Sequence, residues 1–301
     1  MKNMKNKLQS WVTLSSVIFT LSTFISCDQQ EIESFDSTKD TPITIASAGV
    51  AELTTRVITD DNKLVGTSDI PVTMSVFITS RSSETKYQAT NAKWEHNGVS
   101  WVSETNVLYE GTNSTQEIYA CSPYTTVTDN NISVTAADQI DWLVTTSNSL
   151  TSNDVNLTMT HALAKLVLIP TFGTELTSQT ITSVEVGGMY VSGKLDISDN
   201  TWSDLLEANT TLAMANNELL VIPMAQCTSF SIVITMEDAR VFKATIDCPV
   251  ISPEDAEEKV YGLAPGTQYN IKLQIGQDKV TLGGINAEPW VPSTGGVLET
   301  E

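Results

Sequence analysis

The run Val72-Thr73-Met74-Ser75-Val76-Phe77-Ile78-Thr79 starts with apolar residues at every second position and ends with three in succession. Alternation at period two marks a strand with one buried face, and a short unbroken apolar run fits a strand buried on both. Working outward, Lys86–Trp94 reads as a second strand. His96-Asn97-Gly98 follows as a turn, Asn-Gly being a strong hairpin signal, and Val99–Val102 returns along it. The same grammar continues through Glu117–Cys121, Ile132–Thr135, Trp142–Thr146, Val155–Met159, Leu163–Ile169, Thr180–Val186, Tyr190–Ile197, Glu218–Ile222, Phe230–Met236, Arg240–Ile246, Gln268–Ile275 and Lys279–Leu282. Turn residues recur about every 8 to 12 positions, the spacing of an all-β sandwich. Helix is confined to Ser252–Lys259, where Ser252 is a cap candidate, Pro253 stands at the first helical position and Asp255 lies three residues after the cap. That segment reads as one or two turns on a loop. About sixteen strands are too many for one small sandwich, so the reading is all-β with two tandem sandwiches and a seam in the polar stretch Thr145–Asn156.

The chain has 301 residues, with 16 Lys+Arg against 36 Asp+Glu and a net charge of −20. Such a surface repels nucleic acid and anionic membrane and suits a soluble, self-repelling body outside the cell. Cys27 apart, three cysteines remain: Cys121, Cys227 and Cys248. The last two flank the hairpin Phe230–Met236/Arg240–Ile246. A turn at Glu237-Asp238-Ala239 makes them diagonal partners rather than opposite ones, a poor geometry for a disulfide unless a bulge shifts the register. Small buried thiols are the other reading.

Candidate chemistry is sparse. The two histidines, His96 and His161, have no cysteine or second histidine at zinc-ligand spacing. No Gly-x-Ser-x-Gly elbow and no phosphate-binding glycine loop occurs, so no catalytic, cofactor or firm metal site is read. Asp196, Ser198, Asn200, Asp204 and Glu207 place oxygen donors at positions 1, 3, 5, 9 and 12 of a calcium loop. Thr201 stands where glycine belongs, however, and Asp and Asn are also plain turn formers. Tryptophans Trp94, Trp101, Trp142, Trp202 and Trp290 admit a sugar-stacking reading and a core-filling one; Trp94 and Trp101 could pair across the Asn97-Gly98 hairpin.

The start of the chain carries addresses rather than chemistry. Lys2, Lys5 and Lys7 precede an apolar run from Trp11 to Ile25, which ends at Ser26-Cys27. A basic start, a short apolar core and a small residue at its end describe an export signal, and the run falls short of the about 20 residues of a membrane span. The order resembles the lipobox of bacterial lipoproteins, in which the signal is cut before a cysteine that then carries lipid, here Cys27. Losing the signal gives 13 − 36 = −23. Asp28–Ala51 is polar and acidic, as in a tether, although Thr41–Val50 alternates enough to pair as a strand. It ends at Leu53-Thr54-Thr55-Arg56-Val57, where Arg56 offers an Arg-specific protease a target and is otherwise one surface arginine.

Several residues act together in a resemblance. Met159-Thr160-His161-Ala162-Leu163-Ala164-Lys165 resembles the His-Ala-x-Ala-Lys strand of the fimbrillin family of Bacteroidetes. Leu263-Ala264-Pro265-Gly266-Thr267-Gln268-Tyr269 resembles that family's late Leu-x-x-Gly-x-x-Tyr strand, and Ile285–Trp290 its closing tryptophan motif. The lipobox and Arg56-Val57 fall where the family has its lipid signal and processing arginine. The resemblance implies an all-β fold of two tandem transthyretin-like β-sandwich domains with little helix. Its segments would be a signal peptide over 1–26, a tether and removable strand over 27–56, an N-terminal sandwich over 57–150 and a C-terminal sandwich over 151–301. It further implies a non-enzymatic subunit of a type V pilus without cofactor, supporting adhesion. Such a subunit is exported as a lipoprotein (palmitate on Cys27), held at the outer membrane by that lipid and cut after Arg56 by a trypsin-like protease. It is then polymerised with other fimbrial subunits by donor-strand exchange at the cell surface. The implied donor is the tail Val291–Leu298, since the prolines of Asn286–Pro292 make a poor strand. The alternative is a monomeric surface lipoprotein that keeps its lipid and binds a host or bacterial glycan or protein.

Overall fold

The computed structural model describes residues 38–50, 63–66, 72–112, 115–176, 179–207 and 209–290. Helix among them is limited to the three-residue turns Thr85–Tyr87 and Ala136–Asp138. The first half supplies β1 (Thr44–Val50), β2 (Val72–Thr79), β3 (Ala89–His96), β4 (Trp101–Ser103), β5 (Glu117–Ser122), β6 (Asn131–Thr135), β7 (Leu143–Ser149) and β8 (Asp154–His161). All but β6 join one seven-stranded sheet, in the order β1-β8-β7-β5-β2-β3-β4. Its two end strands, β1 and β4, come into contact, so the sheet curls around its own core.

The mixed pattern of β2 follows from this arrangement. Met74, Val76 and Ile78 point into the first core, while Phe77 points the other way into a second one. Phe77 lies opposite Tyr119 of β5, with ring centroids 5.0 Å apart and planes 2° from parallel. β5 divides in the same way, Ile118 and Ala120 to the first core and Tyr119 and Cys121 to the second. Ser75, fully buried between them, is satisfied: its hydroxyl donates to the Thr125 carbonyl and accepts from the Thr125 N–H, each at 3.2 Å.

The chain leaves the first sheet at Ala162–Leu163. It continues as β9 (Ala164–Phe172), β10 (Ile181–Gly187), β11 (Tyr190–Asp196), β12 (Thr201–Glu207), β13 (Thr211–Ala213), β14 (Glu218–Val221), β15 (Met224–Ala225), β16 (Ser229–Met236), β17 (Val241–Asp247), β18 (Gly262–Leu263), β19 (Thr267–Ile275) and β20 (Val280–Pro289). Two sheets, β14-β9-β19-β20 and β13-β10-β16-β17, enclose the second core. One contributes Leu166, Leu168, Ile271 and Leu273, the other Val186, Phe230, Ile232 and Ile234. Within these two sheets β9 and β19 run parallel and the other pairs are antiparallel. β6 leaves its own half to pair with β11 in a three-stranded sheet, β12-β11-β6, and its Ile132 and Val134 enter the second core.

Several expectations change in detail. Among the described residues there are twenty strands rather than sixteen; β12, β13, β15 and β18 are additions. Ser252–Lys259 forms a turn closed by Ala256 N–H on the Pro253 carbonyl, not a helix. The expected cap fails because Ser252 Oγ accepts from the distant Val260 N–H at 3.1 Å. Lys86 lies in a 3-10 turn, and the second strand starts at Ala89. The partner of Trp101 across the Asn97-Gly98 hairpin is His96, edge-on at 5.3 Å, rather than Trp94, which faces Ser103. The turn is built as expected: Asn97 Oδ1 accepts from Val99 N–H and Ser100 N–H, and Gly98 has φ 94°. Of the closing segment Asn286–Pro292, residues 286–289 do pair, as the end of β20, and residues 291–292 lie outside the described ones. Proline is tolerated at the end of an edge strand, where no ladder donor is missed.

Candidate functional site

β1 is placed by residues that the sequence shows only in part. It pairs with β8 in parallel, Ile45 with Val155, Ala48 with Leu157 and Val50 with Met159, and forms one end of the seven-stranded sheet. A bulge between Ile45 and Ser47 shifts the register by one. That shift explains why odd-numbered Ile43 and Ile45 and even-numbered Ala48 and Val50 all face the first core. On its other side β1 meets the isolated bridges Pro42–Leu108 and Gly49–Lys63. The lead-in is fixed by Ile43 N–H on the Val107 carbonyl and Tyr109 N–H on the Thr41 carbonyl, both 2.8 Å. Buried Gln116 holds that 107–110 segment, donating to the Tyr87 and Leu108 carbonyls and accepting from Glu110 N–H. The Tyr87 hydroxyl donates to Asp40 at 2.7 Å, and with Lys86 it keeps that carboxyl below its ordinary range.

The second feature is a knot in which three distant segments meet. His161 ends β8, and its ring stacks on Trp290 with centroids 3.7 Å apart and planes 11° from parallel. Its Nδ1 is 2.8 Å from Asp141 Oδ1, which orients the ring. Lys165 Nζ lies 5.8 Å from the Trp290 centroid and 2.9 Å from Glu218. Gly266 joins the third segment: its N–H donates to the Leu163 carbonyl at 2.9 Å, and its own carbonyl accepts from Trp290 N–H at 3.0 Å. At φ 65°, Gly266 holds a left-handed backbone that side-chain-bearing residues adopt with difficulty. A neighbouring close approach is equally residue-specific, for a Cβ on Gly262 would stand 2.0 Å from the Met224 carbonyl oxygen. The stacked rings and the two backbone hydrogen bonds of Gly266 fasten the three segments together, with the Asp141 and Glu218 carboxylates at its rim.

The fimbrillin-like family model matches residues 55–290. The chain belongs to the fimbrillin-like family. Fimbrillin-like proteins are fimbrial, so the coarse role of this one is that of a fimbrial protein at the cell surface. No curated protein matches the chain. Among solved structures it is similar to a candidate cell-adhesion protein from Bacteroides uniformis, at 17% identity and TM-score 0.59, covering 83% of this chain and 99% of that one. A candidate cell-adhesion protein from Bacteroides ovatus aligns at 16% identity and TM-score 0.60, over 84% and 98% of the two chains. The tip fimbrial protein Mfa3 from Porphyromonas gingivalis, truncated at its C-terminus, aligns at 11% and 0.50, over 83% and 100%. These likenesses carry the fold, an almost entirely β architecture of several sheets as in fimbrillin-like β-sandwich proteins, with little helix. None of the three is described as an enzyme.

The fimbrillin-like chain does not assemble the calcium loop that its spacing suggested. Thr201–Glu207 is β12, an antiparallel partner of β11, and Glu207 pairs with Tyr190 at the far end of the hairpin from Asp196. Asp196 Oδ1 accepts instead from the N–H and hydroxyl of Ser198, Asn200 takes φ 59° as a turn former, and Asp204 pairs with Lys194 at 2.7 Å. Among the described residues no group of three or more His, Cys, Asp or Glu could hold a metal. Trp94, Trp101, Trp142 and Trp290 are buried, so their faces fill cores and are closed to sugars. Cys27, Arg56, Val57 and the tail Val291–Leu298 lie outside the described residues. Among those described, no helix is long and apolar enough to cross a membrane.

Proposed function

We propose that this protein is a fimbrial subunit exported with lipid on Cys27, cut between Arg56 and Val57 by an Arg-specific protease, and polymerised by strand exchange. The observation that carries this reading is β1. It is an end strand upstream of Arg56 that, with Ile43 just before it, holds Ile45, Ala48 and Val50 in the first core. A cut after Arg56 followed by release of residues 27–56 would leave the β8 edge with unpaired N–H and C=O groups above an apolar trough. A strand from the next subunit restores both, which is β-augmentation. The contact is head-to-tail and does not close on itself, so it builds a filament. Before the cut the trough is occupied and the lipid keeps the subunit at the outer membrane, which blocks premature assembly.

The donor in this scheme is Val291–Leu298, which continues directly from the knot at Trp290. The N-terminal sandwich then runs to His161 and the C-terminal one starts at Ala164, with β6 as a strap between them; a boundary at 150 would separate β7 from β8. The competing reading, a monomeric surface lipoprotein that keeps its lipid and binds a glycan or protein, finds four of its tryptophans buried and Trp202 half-buried against the second core.

Intact mass and N-terminal sequencing of the surface protein test the processing step. The mature protein is expected to begin at Val57, and an Arg56→Ala variant to keep residues 27–56 with fatty acid on Cys27. A wild-type protein that retains residues 27–56 and its lipid would contradict the cut and leave the lipid-anchored binder.

A further inference from the structure

We infer that Cys227 and Cys248 form an intrachain disulfide that staples the base of the β16–β17 hairpin in the mature protein. Their sulfurs lie 3.0 Å apart, and both side chains sit in the second core. The ladder pairs residues whose numbers sum to 476, Ser229 with Asp247 through Thr235 with Val241. By that register Cys248 faces Thr228, whose carbonyl accepts its N–H at 2.9 Å, and Cys227 is one residue beyond. Strict alternation would turn Cys227 to the opposite face. Gln226, however, takes a left-handed backbone with φ 62° just before it, which ends the alternation and lets the side chain swing in beside Cys248.

A shared metal fits these sulfurs less well. Two thiolates on one tetrahedral zinc at about 2.3 Å each stand roughly 3.8 Å apart and need further nitrogen or sulfur ligands. Among the described residues no group of three or more His, Cys, Asp or Glu is placed to hold a metal ion.

The pair is also polarised for bond formation. Cys248 Sγ donates to Cys227 Sγ, and this hydrogen bond brings the Cys227 thiol down to about 7 while the Cys248 thiol is raised. The oxidant is a disulfide of the compartment outside the inner membrane, in a protein or a small molecule. Cys227 thiolate attacks one of its sulfurs, the oxidant's S–S bond breaks and one thiolate leaves. Cys248 gives its proton to water and attacks Cys227 Sγ in the resulting mixed disulfide, releasing the oxidant's second thiolate. Two protons are released and two electrons pass to the oxidant. Cys121 takes no part: it is buried in contact with Ser75, and burial pushes its thiol up to about 11.

The test is alkylation of the full mature protein from the cell-surface fraction, denatured without reductant and mapped by mass spectrometry. Cys121 is expected to take up iodoacetamide, whereas Cys227 and Cys248 remain unlabelled and linked until a reductant is added. Labelling of all three thiols without reductant, or a bond that includes Cys121, would overturn the inference. Melting gives a second readout. Reductant is expected to lower the wild-type Tm by roughly 5 °C or more and to leave a Cys227→Ser/Cys248→Ser variant unchanged. An unchanged wild-type Tm in a reductant that demonstrably frees both thiols would show that the bond does not staple the hairpin.

Discussion

An Ile43→Asp/Ile45→Asp variant that also carries Arg56→Ala is expected to form oligomers although it cannot be cut. The cut matters, in this account, only because it releases β1, so any change that loosens β1 bypasses it. Ile43 and Ile45 are 4% and 5% exposed, and burying an isoleucine contributes about 1.5–3 kcal/mol. Losing both costs about 3–6 kcal/mol, and a carboxylate cannot re-enter the same core without a further penalty. A loss of about 5 kcal/mol raises the population with β1 detached by roughly three to four powers of ten. What remains of the attachment is the ladder to β8, two isolated bridges, the small buried side chains Ala48 and Val50 and the Asp40–Tyr87 hydrogen bond. Size-exclusion chromatography of the purified variant is the check, with a cooperative melting transition as the control that the protein is folded. A folded variant that stays monomeric would mean that β1 is not the plug.

Trp290→Ala is expected to cost about 3–5 kcal/mol, the range for deleting a buried tryptophan, and to lower Tm by on the order of 10 °C. Trp290 is 8% exposed, stacked on His161 and within cation–π reach of Lys165. Its loss would open the junction where β8 passes into β9 and β20 ends, and would free the start of the tail assigned as donor. A double-mutant cycle with His161→Ala should show a coupling of about 1 kcal/mol, since a ring pair adds roughly that much beyond its area. Urea unfolding provides both numbers. A loss below about 1 kcal/mol for Trp290→Ala would show that the knot is incidental packing.

How far the sequence carries depends on whether a residue's surroundings are local. Period two located most strands, and the mixed pattern of Val72–Thr79 already contained its two buried faces, because alternation is set by the strand itself. β12 escaped because Thr201–Glu207 is largely exposed and carries Leu205 beside Leu206, so no alternation marks it. The journey of β6 into the other half's sheet, and the meeting of His161, Gly266 and Trp290, are tertiary facts with no local signature. The three motifs were legible one by one, but not the knot they tie. The bulge in β1 and the left-handed Gln226 each break the parity that residue counting assumes. At the candidate site, Thr41–Val50 was legible as a strand, whereas its place at the end of the first sheet was not.

The most direct measurement is an unheated denaturing gel of the cell-surface fraction, wild type beside Arg56→Ala. The account predicts a regular ladder in the wild type that collapses on boiling and a single band in the variant. Chains held together only by donated strands resist detergent until they are heated, and uncut chains have no open trough. A single band of one unchanged mass in both strains would contradict strand exchange and leave a fimbrillin-like protein that stays tethered by its lipid.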